Sequence, residues 1–83
     1  MQTALIVNCT GFTLEHCVYL LDNKSSMQPI QLPTFEIAGY ATNAGVNKIY
    51  LRGQKDYCLG IKEKISKQLA LEYNNNNIEI EVM

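Results

Sequence analysis

"ALIVNCTGFTLEHCVYLLD", residues 4–22, is the stretch whose reading decides the fold. Two apolar runs flank Gly11, and both are rich in the β-branched, aromatic and aliphatic side chains that suit a pleated, half-buried surface. They predict an antiparallel β-hairpin. With Gly11 and Phe12 as a two-residue turn, Thr10 faces Thr13, Cys9 faces Leu14, Val7 faces His16 and Ile6 faces Cys17. Alternation along each strand then separates two sets of side chains. Ala4, Ile6, Asn8, Glu15, Cys17, Tyr19 and Leu21 share one face, and Leu5, Val7, Cys9, Leu14, His16, Val18 and Leu20 share the other. Both faces are largely apolar. The hairpin is therefore expected at the centre of a sheet, with helices over one face and a helix or a partner subunit over the other.

Working outward, residues 22–34 read as a loop followed by a weak third strand around Ile30 to Leu32, which Pro29 and Pro33 restrict to a sheet edge. Thr34 is an expected cap for a helix through "FEIAGYATNAG", with Phe35, Ala38 and Ala41 lining one side, Ile37 beside them, and Gly45 as a left-handed stop. "VNKIYLRG" reads as a strand ending at Gly53. Asp56 is the expected cap of the longest helix, from about Tyr57 to Tyr73, in which Tyr57, Ile61, Ile65, Leu69 and Tyr73 recur every fourth residue. Asn74 to Asn77 end it, because Asn tolerates left-handed geometry, and "IEIEV" closes the chain as a strand with one buried face. Strand, helix and strand in this order form a β-α-β unit with parallel strands and a right-handed crossover. The fold class is α/β, a single domain over residues 1–83 with a mixed sheet.

This order resembles a minimal ribonuclease H-like or actin-like fold, in which a hairpin leads through a third strand and a helix to two further parallel strands. The resemblance rests on "IVNCTGFTLEH" as strand, turn and strand, and on "KIYLRGQKDY" as strand, glycine and helix start. Nucleases of that fold hold Mg²⁺ with a carboxylate in the first strand. Here the matching position is Asn8, which lacks the charge. The resemblance therefore implies the fold without the catalysis. An actin-like ATPase would need a second phosphate loop and a second domain, for which 83 residues leave no room. The chain also looks like the small proteins of phages and mobile elements of low-GC bacteria.

Composition narrows the function. Seven basic against eight acidic residues give a net charge of -1, with no basic stripe to neutralise phosphates, so nucleic acid is not expected as a partner. No apolar run approaches the length of a membrane span and no signal-peptide pattern opens the chain, which places it in the cytoplasm. There the Asn8-Cys9-Thr10 sequon is not a glycosylation site. Cys9, Cys17 and Cys58 lack framework spacing and read as packed thiols. Zinc would need His16 and the three thiols to converge, yet Cys17 points away from Cys9 and His16 in the predicted hairpin, so no metal and no cofactor are expected. Cys9 and His16 as a nucleophile and base lack an oxyanion-stabilising element. No catalytic residues are assigned, and the chain is read as a non-enzyme.

Two surfaces remain. "RGQKD" leads from a strand into a helix N-terminus, where free N–H groups attract anions. In the expected topology it adjoins the end of the first strand, so Asn8, Thr10 and Gly11 with Gly53, Gln54, Lys55 and Asp56 form the candidate site for a small anionic or nucleotide-like ligand. The second surface is apolar. Five tyrosines and a hairpin apolar on both faces predict self-association as a homodimer or higher oligomer, or contact with another protein. The chain is thus expected to act by protein contact or by sequestering a small ligand, with interference in a host defence as the use in a phage. The alternative is a catalytically degenerate, ribonuclease H-like accessory protein of nucleic-acid processing.

Overall fold

The computed structural model describes residues 3–9, 15–21 and 29–83. Among these the chain runs through β1 (Ala4–Cys9), β2 (Glu15–Leu21), β3 (Ile30–Pro33), α1 (Thr34–Ala44), β4 (Lys48–Gly53), α2 (Lys55–Glu72) and β5 (Glu79–Val82). The strands make one mixed sheet in the order β3-β2-β1-β4-β5. β1 pairs antiparallel with β2 and parallel with β4, β2 pairs antiparallel with β3, and β4 pairs parallel with β5. The prolines bounding β3 do confine it to an edge.

This topology determines where the helices lie. β3, β1, β4 and β5 all run the same way, and the connections through α1 and α2 both progress across the sheet in the same direction. Right-handed crossovers that progress in one direction place their helices over one face. α1 and α2 accordingly pack against each other. Under them Leu5, Val7, Val18, Ile49 and Leu51 are fully buried against Ile37, Ala38, Ala41 and Ile65. Burial of a side chain of this size contributes about 1.5–3 kcal/mol, so this layer carries most of the stability. Among the described residues no helix covers the opposite face. Of the two covers expected for that face, a helix or a partner subunit, the described helices do not supply the first.

The division of the hairpin into two faces holds, but its register does not. Val7 pairs with Val18 and Asn8 with Cys17, a displacement of two residues from the predicted pairing. A shift of two keeps every side chain on its face, whereas a shift of one would have exchanged the core for the surface. The expected turn at Gly11 and Phe12, with Leu14, lies outside the described residues.

Helix ends follow the expected chemistry at their C-termini. Gly45 takes φ 71° and its N–H bonds back to Thr42 O, with Val46 N–H reaching Ala41 O. After α2, Asn74 takes φ 46°, and Asn75 bonds through its N–H to Leu69 O and through its amide group to Thr42 Oγ1. The N-termini differ from expectation. Pro33 and Gln54 occupy the cap positions, and Thr34 and Asp56 fall within the first turns. α1 is also rotated: Ile37, Ala38 and Ala41 face the sheet, while Phe35 is 69% exposed. In α2 the buried stripe is Cys58, Ile61, Ile65 and Leu69, and Tyr57 and Tyr73 sit at its margins.

Candidate functional site

The ends of the two strands that lead into the loops singled out in the sequence lie side by side. In the parallel pairing of β1 with β4, Asn8 lies beside Arg52 and Cys9 beside Gly53, so the ends of both strands reach the carboxyl edge of the sheet where α2 begins. Thr10 and Gly11 lie outside the described residues. Gly53 has φ 145°, and a Cβ there would collide with the Cys9 carbonyl oxygen and sit 3.5 Å from Cys58 Sγ. Only glycine accepts both the dihedral and the approach. Gln54, Lys55 and Asp56 follow as exposed residues at the start of α2, with Cys58 N–H closing the first helical bond onto Gln54 O at 2.9 Å.

Behind this edge lies a buried polar group. His16 is 1% exposed on β2, and its Nε2 is 2.8 Å from Thr34 Oγ1 at the start of α1. Thr34 is the first helical residue, behind Pro33 at the cap position, and its hydroxyl meets His16 instead. Nδ1 of His16 has no hydrogen-bond partner among the described residues, and the ring is tilted against Tyr57 at 6.2 Å. Burial holds the imidazole pKa below its ordinary value, so the neutral form is favoured. Cys9 and Cys58 are buried beside each other, and the Cys9 thiol is pushed up to about 12 by its burial and by the neighbouring Cys58 thiol. A thiol held protonated at neutral pH is neither a nucleophile nor a ready metal ligand. Cys17 projects from the other face of the sheet, and no cluster of three or more His, Cys, Asp or Glu side chains suited to a metal ion occurs among the described residues.

The open face of the sheet is the larger feature. Its side chains fall in rows given by the register. Tyr19, Ile6, Tyr50 and Glu81 form one row, Gln31, Cys17, Asn8 and Arg52 the next, and Leu21, Ala4, Lys48 and Glu79 a third. Each row is apolar or uncharged on β2 and β1, and its charges lie on β4 and β5. Lys48 Nζ lies 3.9 Å from Glu79, 3.8 Å from Glu81 and 5.0 Å from the Tyr50 ring centre, so the charged half is internally balanced. On the apolar half the Cys17 thiol beside Tyr19 pushes the Tyr19 phenol up. The Lys48 bridge was legible in principle, since Glu79 and Glu81 alternate onto one side of a strand. Its partner strand was not, because that depends on pairing across 31 residues of chain.

No helix of the described residues is long and apolar enough to cross a membrane. Compared with protein-family models, with curated proteins and with solved structures, the chain matches none.

Proposed function

We propose that the chain is a small non-enzymatic binding protein that associates with itself through the open face of its sheet. The observation that carries this is the placement of both helices on one side, which leaves Ile6, Cys17, Tyr19 and Tyr50 side by side, half-buried, with no helix of the described residues over them. A patch of this kind, apolar at its centre and charged at its rim, has the anatomy of a protein contact. A two-fold dimer sets the β1-β2 half against its own copy and leaves Lys48, Arg52, Glu79 and Glu81 at the rim. Native mass spectrometry of the purified chain tests the reading. A dimer or higher oligomer supports it, and a monomer at all concentrations removes it.

The carboxyl edge supports a second, ligand-binding role for Asn8, Gly53, Gln54, Lys55 and Asp56, since ligands of open α/β sheets bind at such edges. Nucleotides and cyclic signalling nucleotides are the first probes, and a raised melting temperature is the expected result. The strand order β3-β2-β1-β4-β5, with Asn8 in the first strand, also favours the ribonuclease H-like alternative, an accessory protein of nucleic-acid processing without its own metal. Salt-dependent binding to DNA or RNA would favour that alternative over the leading one. Use by a phage against a host defence fits a small binding protein and rests on analogy.

A further inference from the structure

On the helical side of the molecule, away from the open face, α1 and α2 enclose a groove of about 630 Å³. Phe35, Tyr40 and Tyr73 supply aromatic surface, and Glu36 and Glu72 supply two carboxylates. Among the described residues no Lys, Arg or His lines it. Neither carboxylate takes part in the ion pairs of the described residues, which join Lys48 to Glu79 and Glu81 and Lys67 to Glu63. Gln68 spans the groove, donating from Nε2 to Phe35 O at 2.6 Å and to Glu72 Oε2 at 3.0 Å, which leaves its carboxamide oxygen as a further acceptor. Tyr73 is seated over Gly39: a Cβ there would lie 2.5 Å from the Tyr73 hydroxyl.

We propose that this groove binds an arginine side chain presented by a partner polypeptide. The lining combines aromatic faces with anionic and neutral acceptors and holds no positive charge, which selects a cation. A guanidinium is planar, stacks on aromatic rings and engages carboxylates through two parallel hydrogen bonds, whereas an ammonium does only part of this. The source follows from the shape. A free small ligand is held by a pocket that buries most of its surface, and this groove is open along its length with Phe35 69% exposed at its shoulder. A side chain carried on a larger chain obtains the remaining contact from its neighbours, and Phe35 is placed to meet them.

The test is a titration of the ¹⁵N-labelled full chain, followed by amide shifts. The probes are an end-blocked heptapeptide of alanine and leucine with a central arginine, the same peptide with neutral citrulline, and free N-acetylarginine amide. The arginine peptide is expected to shift amides between residues 35–43 and 68–73, and the citrulline peptide to bind at least about tenfold more weakly. Glu36→Gln combined with Glu72→Gln lies on exposed helix surface, and is expected to abolish the difference between the two peptides while leaving the remaining spectrum unchanged. Equal binding of both peptides, no shift with either, or shifts confined to the open sheet face would each overturn the proposal. Free N-acetylarginine amide binding as tightly as the peptide would overturn its polypeptide source. Because the groove and the open face lie on opposite sides, failure here leaves the dimer reading standing, and the reverse also holds.

Discussion

The two faces of the central sheet are built from the same strands, and along the hairpin both carry aliphatic side chains, yet they have opposite fates. On one face Leu5, Val7, Val18, Ile49 and Leu51 are fully buried beneath α1 and α2; on the other Ala4, Ile6, Cys17, Tyr19 and Tyr50 remain partly open. The difference arises from connectivity, because two right-handed crossovers progressing the same way leave no segment of the described chain for the second face. Apolar patterning shows that a face wants cover. Topology decides whether the chain itself provides it.

Truncation separates the faces most strongly. Leu5→Ala or Ile49→Ala on the covered face is expected to cost about 2–5 kcal/mol, because the removed atoms leave a cavity between sheet and helices. Ile6→Ala, one residue away on the open face, is expected to cost under about 1 kcal/mol in dilute solution, where no partner layer is lost. Urea unfolding at low protein concentration measures both, and equal losses would erase the distinction between the faces. Next in size is Gly53→Ala at the carboxyl edge. The strained dihedral and the collision with the Cys9 carbonyl predict a loss of about 1–3 kcal/mol in the same unfolding measurement.

His16 adds a pH dependence that belongs to the covered side alone. Its folded pKa lies below the ordinary 6.5, so the unfolded chain binds a proton first as the pH falls. This contribution to stability is complete above pH 6.5 and is lost as the pH falls from there towards the folded value. His16→Leu should remove that part of the pH dependence, and an unchanged unfolding profile would place the imidazole in a more hydrated setting. Thr34→Val, which leaves Nε2 of the buried ring without its partner, is expected to cost about 1–3 kcal/mol. The smallest effect is expected at the open face's charged margin. Lys48→Met breaks two long, partly exposed ion pairs and should change stability by less than about 1 kcal/mol.

Much of the fold was legible because it depends on local pattern. Alternation assigned the hairpin residues to their faces, prolines marked β3 as an edge, and Gly45 and Asn74 ended the helices by left-handed geometry. What failed depends on contacts far apart in the chain. Hairpin register is set jointly by the pairing of β1 with β4 and of β2 with β3, so a turn rule applied to Gly11 and Phe12 misplaced it by two residues. Thr34 and Asp56 are good capping residues by type, but both fall inside the first turns behind Pro33 and Gln54, and the Thr34 hydroxyl meets His16, 18 residues away. Phe35 was assigned to the core because its spacing from Ala38 and Ala41 fits a helical stripe. The actual stripe is set by how α1 lies on the sheet, and it runs through Ile37 instead. At the candidate site, the meeting of Asn8 with the Gly53 loop followed from parallel pairing and was foreseeable. The groove between α1 and α2 was not, since it depends on Tyr73 reaching Gly39 across 34 residues.

The central claim is that the open face is a contact surface, and sedimentation velocity tests it most directly. The wild-type chain and Ile6→Glu are compared across the same concentration range, with circular dichroism confirming that both are folded. The account predicts a wild-type dimer that the buried carboxylate of the variant converts to monomer. A wild-type chain that sediments as a monomer throughout, or a variant that dimerises as well as the wild type, would contradict it.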